Sequence, residues 1–127
     1  MFNVYNVSEQ TVNPGEAILL DGVNFIPACA LRTVNRSVKA GIQRISASVN
    51  STPTVAGQII WNVTADNTVI PGATMQTPGT TVGTYENVST EVIIPTQNKT
   101  TIQIVNNSEK PITVPARGAS LAVRREG

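Results

Sequence analysis

Residue types that usually carry out catalysis are scarce in this sequence. It contains no histidine, which is the most frequent general base, the most frequent metal ligand and the usual partner of a nucleophilic serine or cysteine. A carboxylate-based glycosidase remains the enzymatic alternative, because that chemistry needs only two acids that flank a sugar. The spacing singles out no such pair among the acids near turns and strand faces, Asp21, Asp66, Glu86 and Glu91. The sequence therefore predicts a protein that is not an enzyme and has no catalytic residues, cofactor or metal.

Other kinds of site are equally unsupported. The single cysteine, Cys29, stands between small and apolar neighbours, which predicts a buried and unreactive thiol. The net charge is only +1 and the few aromatic residues are scattered, so neither a nucleic acid nor an anionic membrane is an expected partner. No apolar segment approaches the length that spans a bilayer, and residues 1–6 lack the basic start and apolar run of a signal peptide.

The pattern of side chains predicts β-strands throughout. In residues 58–65, apolar side chains occupy the odd positions around Trp61 and polar ones most of the even positions, which is typical of a half-buried strand with Trp61 facing inward. Turn residues such as Asp66-Asn67 and Pro71-Gly72 separate the segments. Further strands are predicted at 17–21, 29–35, 42–49, 81–85, 88–94, 100–106 and 119–125. We expect an all-β jelly-roll β-sandwich of about eight to ten short antiparallel strands.

Length and composition predict one domain that associates with others. A chain of 127 residues fits a single core, which we place at residues 11–127. Residues 1–10 are expected to form an N-terminal arm or an edge strand, because Phe2, Val4 and Tyr5 are apolar enough to dock onto a neighbour. Only 13% of the residues are charged, about half the usual share. Such a surface is covered by hydroxyls and amides or hidden in a partner, which suggests oligomerisation.

Several segments together resemble a known superfamily. A Pro-Gly turn precedes the short apolar run at 17–20, an Ile-Pro-Gly tripeptide follows the Trp61 strand, and a glycine precedes the strands at 42–46 and 119–125. With the segment 102–107, these features resemble the jelly-roll superfamily of tumour necrosis factor and the complement globular heads over about residues 11–125. The likeness is strongest to the bacterial and phage domains that cap collagen-like proteins.

This resemblance implies a homotrimer in which three sandwiches pack about a shared axis. The neutral residues proposed for the trimer interface are Thr90, Val92, Ile94, Ile102 and Ile104. We predict a non-enzymatic structural protein on a virion surface, such as a phage capsid decoration or fibre-head protein, with its own copies and a capsid or fibre protein as partners. The alternative is a glycan- or receptor-binding trimeric module of a phage fibre or bacterial cell surface, with Tyr85 and Asn87 as recognition residues.

Overall fold

The computed structural model describes residues 2–25, 37–38, 40–97 and 99–126, and all regular secondary structure in these ranges is β-strand. The strands are β1 (Phe2–Tyr5), β2 (Gln10–Val12), β3 (Gly22–Phe25), β4 (Ser37–Val38), β5 (Gly41–Pro53), β6 (Ile59–Ala65), β7 (Thr68–Thr77), β8 (Glu86–Thr96), β9 (Thr100–Asn106), β10 (Ile112–Val114) and β11 (Ala119–Arg125). The all-β prediction is confirmed. The described residues contain no helix of the length and apolar character that crossing a membrane requires.

One sheet, here called the front sheet, is organised around the long strand β5. Strand β8 pairs with one edge of β5, and β11 pairs with the other edge. Strands β1 and β3 continue the sheet beyond β11, while β10 and β2 extend it next to the last residues of β5. Every pairing is antiparallel. The front sheet therefore has five adjacent strands in the order β8, β5, β11, β1 and β3.

The second, or back, sheet has the strand order β4-β9-β6-β7 and is also antiparallel. A two-residue turn joins β6 to β7, and both its residues, Asp66 and Asn67, have left-handed φ values of 49° and 66°. Asp and Asn tolerate this backbone conformation, which suits tight hairpins. The predicted turn at Pro71-Gly72 instead lies in a bulge inside β7, where four residues face the single residue Val63.

The core fills the space between the two sheets. Alternate residues of β5, β6, β9 and β11 are buried there, as strand geometry requires. Trp61 points inward as predicted, and its indole N–H donates a buried hydrogen bond of 3.1 Å to the Ser51 hydroxyl. Two packed antiparallel sheets with this order confirm the predicted jelly-roll sandwich.

Two fully buried asparagines fasten loops to the strands. Asn106 donates from its amide nitrogen to the carbonyls of Val12 and Lys110 at 2.9 and 3.0 Å, and its Oδ1 accepts from the Ser108 N–H at 2.8 Å. Asn6 plays the same part near the start of β11, where its Oδ1 accepts from Ala119 N–H at 2.8 Å. Each side chain forms hydrogen bonds with backbone groups that would otherwise lack a partner where the chain reverses direction.

Some predicted elements need correction. Residues 2–5 are neither an arm nor an edge strand, because β1 lies between β11 and β3 with the side chains of Phe2 and Val4 buried in the core. The predicted strand at 17–21 is reduced to one bridge between Ala17 and Val105. Residues 81–85 form an exposed loop, and β7 was not predicted. The strand predicted at 29–35 and the buried Cys29 lie outside the described residues.

Candidate interaction surfaces

The side of the front sheet that points away from the core is here called the outer face, and small uncharged residues cover much of it. Every second residue is buried along β1 and along most of β11 and β5, and every second residue of β8 is half-buried, so the intervening residues face outward. Its small members are Asn3, Ser46, Ser48, Ser89, Ser120 and Ala122. Where these short side chains lie, another surface can approach the sheet closely.

An apolar strip lies at one end of the outer face. Ile42 is 47% exposed and Ile93 is 53% exposed, although both are large hydrophobic residues. Ile42 pairs in register with the exposed Pro95, two residues along β8 from Ile93. Three apolar side chains are therefore grouped on neighbouring strands, whereas single exposed hydrophobics are normal on a protein surface.

Charges on the outer face are grouped and compensated. Arg44 and Arg124 are direct cross-strand partners, an arrangement that like charges alone would destabilise. Glu126 contacts both arginines, and Glu91 contacts Arg44 from β8 at 2.5 Å. Beside them, an open groove of about 360 Å³ reaches across to Asn3 and β1.

These contacts hold the two glutamates in their charged form. Hydrogen bonds from Ser46 and then Arg44 lower the pKa of Glu91 below its ordinary value. The hydrogen bond from Arg44 likewise lowers the pKa of Glu126. At neutral pH the two arginines and two glutamates cancel, so this cluster adds no net charge to the outer face.

The structure places the predicted interface residues on the wrong side of their strands. Ile102 and Ile104 of β9 are fully buried between the sheets. Thr90, Val92 and Ile94 are half-buried on the inner side of β8, and the last two pack against the core. The cause is the register of β8, which sets its even-numbered residues opposite buried positions of β5. Glu91 could have indicated which face of β8 points outward, because a charged residue at an odd-numbered position marks the odd-numbered positions as the exposed ones.

The predicted recognition residues lie at the other end of the outer face. Tyr85 is exposed where the β7–β8 loop meets β8. The Asn87 amide donates to the Asn50 Oδ1 at 2.6 Å and the Ser48 hydroxyl at 3.3 Å. The β7–β8 loop itself is held by the Gly57 N–H, which donates to the carbonyl of Gly79 at 2.9 Å.

A polar depression of about 280 Å³ lies at the β6–β7 turn and is lined by Asp66, Asn67, Thr101 and Gln103. The sequence pattern places Asp66 in a turn and does not indicate a contact with β9. In the structure the Thr101 N–H donates to the Asp66 carboxylate at 2.8 Å, and the Asp66 N–H donates to the Thr101 carbonyl at 2.9 Å. Across the described ranges, no three His, Cys, Asp or Glu residues are grouped so that they could hold a metal ion.

No protein-family model and no curated protein sequence matches the chain. Among solved structures, the globular domain of zebrafish complement 1qA protein is similar, with 10% identity, coverage of 98% of both chains and a TM-score of 0.68. The Eiger TNF from S. frugiperda is also similar, with 8% identity, coverage of 99% of this chain and 91% of that chain, and a TM-score of 0.71. At such low identity the likeness concerns the fold. The chain therefore has the jelly-roll fold shared by tumour necrosis factor and the complement globular heads.

Proposed function

We propose that this protein is a non-enzymatic structural module that assembles into a homotrimer through the outer face of its front sheet. The observation that carries this proposal is the apolar strip of Ile42, Ile93 and Pro95 on a face whose charged cluster of Arg44, Arg124, Glu91 and Glu126 has no net charge. Protein interfaces are depleted in unpaired charge at their centre and bury grouped apolar residues.

The resemblance of the fold favours trimeric symmetry, which also suits the layout of the outer face. A three-fold contact joins two different patches, one from each neighbouring copy. The outer face has two such patches, the apolar strip of Ile42, Ile93 and Pro95 and the groove that reaches from Glu91 on β8 to Asn3 on β1. In such a trimer the back sheet stays exposed to solvent.

A virion surface is the location we propose for the trimer. Its role there would be that of a phage capsid decoration or fibre-head protein, with a capsid or fibre protein as the partner. The low share of charged residues supports this role, because a particle protein of this composition covers its surface through assembly.

A recognition module is the second candidate function. The exposed Tyr85 ring and the paired amides of Asn50 and Asn87 favour it, because an aromatic face beside fixed polar groups can bind a glycan or a receptor loop. A glycan array probed with the wild-type protein and with Tyr85→Ala tests it. No signal for the wild type, or an equal signal for the variant, would contradict this function.

The oligomeric state in solution tests the first proposal. Sedimentation velocity at micromolar concentration is expected to give a trimer for the wild type and a monomer for Ile93→Lys, because the lysine would place an unpaired charge inside the interface. The matched control is Val69→Lys, since Val69 is 44% exposed but lies on β7 of the back sheet. The control should remain trimeric, and a monomeric wild type would overturn the proposal.

A further inference from the structure

We propose that the polar depression on the back sheet is a binding site for a neutral sugar ring. Its four lining side chains, those of Asp66, Asn67, Thr101 and Gln103, provide a carboxylate, two carboxamides and a hydroxyl. The site lies on the sheet opposite the proposed assembly face and is formed within one chain. It therefore goes beyond the proposed function, and each proposal can fail without the other.

The backbone fixes the geometry of the depression before any ligand arrives. Asp66 and Asn67 are the two central residues of the tight β6–β7 turn, and two hydrogen bonds join Asp66 to Thr101 on the neighbouring strand β9. A site that is already ordered loses little conformational entropy when it binds.

Most of the polar groups in the depression are uncommitted. Within the described structure, the side chains of Asn67, Thr101 and Gln103 make no hydrogen bond to protein, and Asp66 uses only its Oδ1. Three of the four lining side chains can therefore bond to a polar ligand without giving up a contact within the protein.

The donors and acceptors identify the class of ligand. One carboxylate is too little negative charge for a dedicated calcium site, which uses several oxygen ligands with more than one carboxylate. No cationic side chain lines the depression, so the negative charge of Asp66 would repel a phosphate or carboxylate group and no positive charge would offset that repulsion. Sugar hydroxyls both donate and accept, and they match a carboxylate flanked by amides. The volume lies just below the range of about 300–1,000 Å³ for drug-sized ligands, which fits roughly one ring.

The test is a titration of the ¹⁵N-labelled protein, followed by amide chemical shifts, with the methyl glycosides of glucose, galactose and mannose as separate probes. We expect saturable shifts at the amides of Asn67, Thr101 and Gln103 for at least one glycoside, with half-saturation at about millimolar concentration. Asp66→Asn should weaken this binding by about ten-fold, because it removes a charge-assisted acceptor. Its Oδ1 can still accept from the Thr101 N–H, so the turn is retained.

Asp21→Asn is the matched control, because Asp21 Oδ1 also accepts a backbone hydrogen bond, from Val7 N–H at 3.0 Å, but lies outside the depression. It should bind as the wild type does. The proposal is overturned if no glycoside gives saturable shifts at these amides, or if Asp66→Asn binds as tightly as the control. It is also overturned if calcium chloride alone shifts these amides and the glycosides do not.

Discussion

Replacing Asn106 by aspartate should destabilise the fold strongly, although the two side chains have nearly the same shape. Asn106 is fully buried at the end of β9. Its amide nitrogen donates to the carbonyls of Val12 and Lys110, while its Oδ1 accepts from the Ser108 N–H. Aspartate keeps the acceptor but turns the donor into an oxygen that faces two carbonyl oxygens.

The size of the effect follows from the groups left without partners. Each buried carbonyl that loses its donor costs about 1–3 kcal/mol, and the buried charge adds to this cost. We therefore expect Asn106→Asp to lower the free energy of unfolding by about 3–5 kcal/mol at pH 7. A typical domain has only about 5–15 kcal/mol in total, so the loss is easily measured by urea denaturation.

The loss should depend on pH with a definite sign. Burial and the facing carbonyl oxygens raise the pKa of the introduced carboxyl group above the unfolded value of about 3.9. The penalty is therefore fully present above the raised pKa and shrinks as the pH falls towards 4, where the protonated acid donates to one carbonyl. Asn107→Asp, one residue along and exposed, is the control and should be nearly neutral. Equal stability of the two variants at pH 7, or a loss for Asn106→Asp that does not change with pH, would refute this reasoning.

Two further predictions concern a loop contact and an ion pair. Gly79→Ala should prevent the normal docking of the β7–β8 loop, because a Cβ there would lie 2.1 Å from the Gly57 carbonyl oxygen. Thermal denaturation should show a larger decrease in melting temperature than for the control Gly72→Ala, whose φ is also positive but whose Cβ would meet open space. Arg44→Met should raise the pKa of Glu126 towards its ordinary 4.5, measured by NMR titration of the carboxyl carbon. The stabilisation from the Arg44–Glu126 pair is present above pH 4.5 and is lost as the pH falls through the lowered pKa of Glu126. An unchanged Glu126 pKa in the variant would show that Arg44 does not cause the lowering.

The sequence predicted best those strands in which every second residue is buried. The bounds predicted for β9 and β11, 100–106 and 119–125, are the ones observed. Both strands pack one face against the core, so buried and partly exposed residues alternate along them. Strand β7 escaped prediction because Pro71-Gly72 reads as a turn, whereas the structure accommodates it as a bulge with Gly72 at a φ of 82°.

The candidate sites were harder to predict, because a strand pattern shows that two faces differ but does not show which one faces a partner. For β9 the alternation was read correctly, yet Ile102 and Ile104 were assigned to an interface and are buried in the core. The polar depression joins Asp66 to Thr101, which are 35 residues apart and meet only through the pairing of β6 with β9. Single-sequence reasoning has no access to that pairing.

The position of β1 has a consequence for biosynthesis. Phe2 pairs with Val123, so β1 is synthesised more than 100 residues before the strand β11 that it pairs with. Until residues 119–125 emerge, the facing edges of β1 and β5 have no partner, and unpaired edges of this kind recruit other chains. Contacts between such distant residues also slow folding. During translation we therefore expect the nascent chain to depend on chaperones, and a ribosome that stalls before residue 119 to release an aggregation-prone fragment.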